Sequence, residues 1–305
     1  MRWSASFGAL LMVATRAMAA DALKFRILTF NIRYAASAST WEKPWSVRGP
    51  LVIDTASAIA ANATAAGAVP VIGMQEVLHQ QLVDITAGLG PAWSYIGTGR
   101  DDGKEAGEYC PLFYQPGRVS LVSSTQKWLS KTPDVPSYWP GAGSRRYILV
   151  GVFEDLATGT RFIAANTHLD NVSVEARAEG VKIILRVIRD VQAVWGPGLP
   201  VTLSGDFNSE PAGRGDAYAT MVADGYLEES YTLAPEAARF GPYETYTGFV
   251  PDEVPDVSQR IDFLWVGPDA ADTWNVTRYE VVSNVVGGVY ISDHRPVFAD
   301  VTLKT

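Results

Sequence analysis

Leu203-Ser204-Gly205-Asp206-Phe207-Asn208 carries an apolar run, Pro200–Leu203, into a carboxylate and an amide. Ser292-Asp293-His294 does the reverse, leading through Arg295-Pro296 into the last apolar run, Val297–Leu303. Each segment sets compact polar groups beside a stretch that reads as a buried strand. Working outward, the pattern recurs. Asn31 follows Phe25–Phe30, Glu76 follows Val69–Met74, and His168, Asp170 and Asn171 follow Arg161–Asn166. Asp262 interrupts the otherwise apolar Ile261–Val266. Binding groups gather where strands stop and loops begin, so these segments predict one site at one end of a sheet.

Helical patterns alternate with the strands. They are Val47–Ala66 stopped by Gly67, Leu78–Leu89, Ser173–Trp195 and Arg214–Asp224. In the third, Val181, Ile184, Leu185, Ile188 and Val191 recur at helical spacing behind an N-cap Ser173, with Glu175 in the first turn. Leu112–Tyr114 with Arg118–Ser123, and Tyr147–Glu154 with Arg161–Asn166, read as hairpins. Strand–helix units mixed with hairpins predict an α/β chain with mixed sheets. Without a repeat or a linker, residues 20–305 read as one domain. The loop-rich Pro133–Gly143 and Ala234–Asp256 are expected to rim the site.

The 305 residues, 47% hydrophobic, are enough for a large core without disulfides, and Cys110 is the lone cysteine. A net charge of −8 with no basic block weighs against a tight non-specific polyanion binder. Arg2, the apolar Phe7–Thr15 and Ala17-Met18-Ala19 form a signal-peptide pattern over residues 1–19, so a secreted protein is expected. The apolar run is too short to span a bilayer, and neither stable membrane insertion nor an oligomer is expected. Sequons stand at Asn62, Asn171 and Asn275, and a glycan on Asn171 would obstruct the neighbouring His168.

Glu76, Asp206 and Asp293, with the amides of Asn31 and Asn208, make an oxygen-rich set suited to Mg²⁺ or Mn²⁺ rather than zinc. A histidine held by a carboxylate can take a proton from water near neutral pH. Asp262 is the best such carboxylate, because a charge inside an apolar strand needs a partner. Blander readings remain beside these. Asp262 could pair with Arg260 or Arg295, Gly205-Asp206 could close a turn, and Arg145-Arg146 could hold phosphate or form a solvated pair.

Six segments in order are Leu28–Tyr34 (LTFNIRY), Gly73–Val77 (GMQEV), Asn166–Asn171 (NTHLDN), Ser204–Pro211 (SGDFNSEP), Arg260–Val266 (RIDFLWV) and Ser292–Val297 (SDHRPV). Together they resemble the endonuclease/exonuclease/phosphatase superfamily, over nearly everything after the signal peptide. The resemblance implies a four-layer sandwich, two mixed sheets face to face with helices outside. It implies Glu76 as main metal ligand assisted by Asn31 and Asp293, and His294 as general base oriented by Asp262. Asp206 and Asn208 would position water and the scissile phosphate, and His168 would hydrogen-bond a phosphoryl oxygen. Gly99–Lys104 and Gly107–Tyr109 resemble a secreted branch of the group, which marks Arg100 and Tyr109 for substrate contact. Asp170 and Asn171 are expected there too.

The expected function is a secreted, divalent-metal-dependent hydrolase of phosphoric esters, either a phosphodiesterase or a phosphomonoesterase. Nucleic acid enters only as a substrate. A nuclease, either a 3′–5′ RNA exonuclease or an endonuclease, is an alternative, and a non-catalytic binding module is another.

Overall fold

Strand β1 (Lys24–Asn31) shows how the sequence sorts itself into layers. Phe25 and Ile27 face one way, and Leu28 and Phe30 the other, because successive strand side chains alternate. Both faces are apolar, so the strand is covered on both sides. The computed structural model describes residues 22–36, 41–250 and 258–304. The expected signal peptide, and residues 251–256 of the expected rim loop, lie outside them.

After β1 come α1 (Trp45–Ala65), β2 (Val69–Gln75), α2 (His79–Leu89), β3 (Ser94–Ile96), β4 (Leu112–Tyr114) and β5 (Val119–Trp128). Then come β6 (Tyr147–Asp155), β7 (Arg161–His168), α3 (Val174–Trp195), β8 (Val201–Asp206), α4 (Ala217–Asp224), β9 (Glu228–Glu229) and β10 (Arg239–Phe240). The last strands are β11 (Asp262–Gly267), β12 (Trp274–Val281), a small hairpin of β13 (Val285–Val286) and β14 (Val289–Tyr290), and β15 (Val297–Leu303).

One sheet has the order β10-β12-β15-β1-β2-β4-β3 and the other β5-β6-β7-β8-β11-β9. Both are mixed: β1 and β2 run parallel and β15 antiparallel, while β7 and β8 run parallel and β11 antiparallel. Phe25, Ile27, Val69 and Val71 meet Phe162, Ala164, Leu264 and Val266 between the sheets. Helices α1 and α2 cover Leu28, Phe30, Ile72 and Met74 on the outer face of the first sheet. Helices α3 and α4 cover Ile163, Ala165, Val201 and Leu203 on the second. This is the expected four-layer sandwich.

The same alternation carries Thr29 and Asn31, Gly73 and Gln75, Asn166 and His168, Ser204 and Asp206, and Asp262 to the inner faces at one end. There the packing turns polar. Gln75 Nε2 donates to Asn166 Oδ1 (2.7 Å), Ser204 Oγ to the same oxygen (3.2 Å), and Asn166 Nδ2 to the Met74 carbonyl (2.8 Å). Gly73 makes room for this layer: a Cβ there would stand 2.2 Å from Ser204 Oγ.

Two differences from the sequence reading have physical causes. Asn31, His168 and Asp206 end their strands rather than following them, because inward polar side chains find partners across the sheets and the ladders continue. Strand β12 was not expected. Its register shifts between Val276 and Arg278, and that irregularity breaks the apolar alternation by which a strand is read.

Candidate active site

Register places three residues in one row. His168 pairs with Asp206 across β7 and β8, and Asp206 pairs with Asp262 across β8 and β11. Strand β15, antiparallel to β1, starts at the same end, so Asp293 and His294 arrive beside Asn31. Ser292 fixes that arrival: its Oγ donates to the Asn31 carbonyl (2.6 Å) and accepts from His294 N (3.1 Å).

Nδ1 of His294 donates to Asp262 Oδ2 at 2.8 Å, and Nε2 lies 3.7 Å from Asp206 Oδ2. Thr245 Oγ1 pins the acid's backbone by accepting from Ile261 N and Asp262 N. Arg260 pairs with Glu229 instead. Burial opposes charge on His294, but Asp262 and Asp206, with Asp293, outweigh it and raise its pKa to about 10. Burial, reinforced by Asp262, lifts Asp206 above the ordinary carboxylate range.

His168 is the opposite case. Burial, with Arg146 and Arg100 nearby, holds its pKa well below the usual value, so the ring is neutral. Asn208 Nδ2 donates to the Leu169 carbonyl (3.1 Å) and to His168 Nε2 (3.0 Å). That nitrogen also lies 3.4 Å from Asp206 Oδ2. His168, expected to hydrogen-bond a phosphoryl oxygen, lines the cavity of the site, with Nδ1 3.9 Å from Glu108 Oε2.

Glu76 stands with φ +59°, and Arg33 (+59°) and Asn208 (+48°) share its left-handed backbone. Such residues tend to collect at functional sites and cost about 1–3 kcal/mol each. Tyr34 N and Asn31 Nδ2 donate to the two Glu76 oxygens (3.1 and 3.2 Å), and Asn31 Nδ2 also donates to Asp206 Oδ2 (2.9 Å). Asn31 Oδ1 accepts from Arg33 N (3.0 Å), so the amide bridges carboxylates here rather than offering its oxygen. Burial raises the pKa of Asp293, and the charge of Glu76 raises it further against the pull of His294.

A buried acid, Asp293, and a half-buried one, Glu76, pressing on one another fit a divalent cation, and their donors are the hard oxygens that Mg²⁺ or Mn²⁺ prefers. Asp206, Asp262 and His294 also bring ligand atoms within 4.8 Å of one another. In that trio, however, the Asp262–His294 hydrogen bond already engages two of the atoms, so it is better suited to holding a proton. Glu76 and Asp293 could hold a cation without breaking that bond.

Glu76, His168, Asp206, Asn208, Asp293 and His294 line a cavity of about 490 Å³ with Arg33, Arg100, Asn171 and Tyr246, and Asn31 and Asp262 stand behind it. Two expected substrate contacts stand outside it. Asp170 accepts from the N–H groups of Gly143, Ser144, Val172 and Ser173, which makes it the organiser of a loop. Tyr109 packs in the α1–α2 layer, with its hydroxyl on His79 Nδ1 (3.0 Å) and the Lys104 carbonyl (3.0 Å). Glu108, its neighbour, lines the cavity instead. It precedes the apolar Cys110–Tyr114 and could have been found by the rule that singled out Asp293. Arg33 and Tyr246 carried no such signal.

No protein-family model and no curated protein matches the sequence. Solved structures do. An endonuclease/exonuclease/phosphatase from Bacteroides vulgatus is 34% identical with a TM-score of 0.78, covering 92% of this chain and 99% of that one. A Bacteroides thetaiotaomicron member of the family is 28% identical with a TM-score of 0.79, covering 93% and 99%. The mannosyl-6-phosphatase of Bacteroides thetaiotaomicron is 30% identical with a TM-score of 0.76, covering 91% and 99%. Sharing that fold over almost their full lengths, and bearing the six motifs at one end of its sheets, the chain belongs to the endonuclease/exonuclease/phosphatase family.

Proposed function

We propose that this protein is an exported, divalent-cation-dependent phosphomonoesterase. The observation that carries the reading is the His294–Asp262 pair facing, across one small cavity, a wall that bears Arg100 and Arg146. Hydrolysis of phosphoric esters agrees with the family, and the mannosyl-6-phosphatase likeness favours a monoester. So does charge: Arg33 and a cation held by Glu76 and Asp293 would meet a phosphomonoester dianion, in a chain of net charge −8 whose sequence carries no Lys/Arg block for a long polyanion.

Glu76 and Asp293 would hold the cation, which would neutralise a phosphoryl oxygen and ease departure of the alcohol. The chain's own residues do the rest. Nε2 of His294, with Nδ1–H anchored on Asp262, accepts a proton from water as the water oxygen bonds to phosphorus and the phosphorus–alcohol bond breaks. The leaving oxygen takes a proton from solvent and departs as the alcohol, inorganic phosphate is the other product, and His294 returns its proton to water. Asp206, beside Nε2, orients the water, and Asn208 lies next to the phosphate. A cation at Asp293 would offset part of the field that holds the His294 proton and so favour Nε2 as base.

The test compares p-nitrophenyl phosphate, bis-p-nitrophenyl phosphate and single-stranded RNA with Mg²⁺, Mn²⁺ or EDTA. The monoester should be turned over fastest, and EDTA should abolish its turnover. Faster cleavage of RNA would establish the nuclease alternative, and turnover that survives EDTA would remove the cation. Export rests on the Arg2, Phe7–Thr15 and Ala17-Met18-Ala19 pattern. Secreted protein should begin at about residue 20 by N-terminal sequencing.

A further inference from the structure

At the wall opposite His294, Arg100 and Glu108 belong to one tightly closed loop. Arg100 N donates to the Glu108 carbonyl (3.0 Å), Asp101 N to the Ala106 carbonyl (3.0 Å) and Trp128 Nε1 to the Arg100 carbonyl (2.8 Å). The Glu108 carboxylate is thus held in place. Its contacts all run through one oxygen: Oε2 accepts from Arg100 Nη1 at 2.6 Å and lies 3.7 Å from Arg146 Nη1. Oε1 accepts no hydrogen bond among the described residues. Arg146 is only 8% exposed, yet the one hydrogen bond its side chain makes among the described residues, from Nη2 to Asn171 Oδ1, is 3.4 Å long. Its Nε and Nη1, like His168 Nδ1, have no hydrogen-bond partner among the described residues.

An unused carboxylate acceptor and unused guanidinium donors therefore meet in the same cavity. A phosphate oxygen could use only the donors, and Glu108 would repel it. A hydroxyl both gives and receives. A nucleobase would want an aromatic face to stack on, and the aromatic residues lining this cavity, Tyr34 and Tyr246, are not among this group. We infer that Glu108, Arg146 and Asn171 form the subsite for the hydroxyl groups of the leaving alcohol, and that the alcohol is a sugar. The inference rests on the phosphomonoesterase reading and narrows it to sugar phosphates, with Glu108 as the specificity-determining acceptor.

The experiment measures kcat/KM of the cation-loaded wild type and of Glu108→Gln for hexose 6-phosphates and for p-nitrophenyl phosphate, whose leaving group has no neighbouring hydroxyls. The ratio of the two substrates should fall about tenfold to a hundredfold in the variant, as expected for one lost hydrogen bond to a charged group. The loss should appear mainly in KM for the sugar. Free hexose should also inhibit p-nitrophenyl phosphate turnover by the wild type more strongly than by Glu108→Gln. Equal losses on both substrates, which a merely structural glutamate would give, would overturn the inference. So would wild-type turnover of p-nitrophenyl phosphate with no preference for hexose phosphates, an outcome that leaves the phosphomonoesterase reading standing. Turnover of neither monoester would remove that reading, and the subsite with it.

Discussion

Asp262→Asn is the sharpest test of the proton-handling pair. The acid is 1% exposed, its backbone is pinned by Thr245, and its Oδ2 accepts the His294 Nδ1–H at 2.8 Å. Its Oδ1 has no hydrogen-bond partner among the described residues. An amide in this place has two orientations, and neither is satisfactory. With its nitrogen toward the ring, it forces the proton onto Nε2 and removes the base. With its oxygen toward the ring, the bond survives without its charge, and two N–H donors are buried unpaired at about 1–3 kcal/mol. Replacing the acid that orients a catalytic histidine in serine proteases lowers kcat about 10⁴-fold, and a loss of about 10³- to 10⁴-fold is expected here. Stability should report the same pair. The folded pKa of His294, about 10, lies above its usual 6.5. Its proton thus stabilises the cation-free protein fully below pH 6.5, and that contribution is lost as pH climbs through about 10. Asp262 contributes most to holding the proton against burial, so the variant should lose less thermal stability between pH 7 and 10 than the wild type does. The assays are kcat/KM on a phosphomonoester at saturating Mg²⁺ and thermal midpoints in EDTA across that range. Activity within tenfold of wild type, or parallel stability profiles, would refute the pairing.

Other outcomes follow from the same geometry. Glu76→Gln should weaken Mn²⁺ binding tenfold or more by titration calorimetry while leaving the fold intact; unchanged affinity would move the cation elsewhere. His168 has a folded pKa well below 6.5, so the unfolded chain takes up a proton that the folded one refuses. The wild type should therefore lose stability as pH falls below 6.5, and His168→Gln should lose less between pH 7 and 5 by urea denaturation. Gly73→Ala sets a methyl group 2.2 Å from Ser204 Oγ and 2.8 Å from Asn166 Oδ1. About 1–3 kcal/mol of destabilisation is expected, and a neutral effect would mean that the polar layer between the sheets yields freely.

The sandwich could be read because its strands are buried on both faces and announce themselves as apolar runs, with amphipathic α3 between two of them. The gathering of Asn31, Glu76, His168, Asp206, Asp262, Asp293 and His294 could be read for the same reason: each interrupts or borders such a run. What could not be read is which of these touch the cavity and which stand behind it. Asn31 and Asp262 act through neighbours, and that distinction depends on cross-sheet distances that no spacing encodes. Asp170 and Tyr109 were misplaced because adjacency in sequence says little about direction in a loop. Asp170 turns to the backbone N–H groups of two loops, and Tyr109 turns into the helix layer.

The two walls of the cavity consequently differ in what they demand of the chain. The His294 wall is built from strand ends, where parity and register leave little choice. His168, Asp206 and Asp262 occupy one row because β7, β8 and β11 are adjacent, and a one-residue slip would turn each to the opposite face. The Arg100–Glu108 wall is built from a loop whose shape is set by its own hydrogen bonds and by Trp128 at the end of β5. Substitutions there can alter what is held without disturbing the row that performs the chemistry. That separation explains why the reaction class could be read from six short motifs, whereas the choice of alcohol, on the proposed subsite, would be made by a loop outside the strand rows.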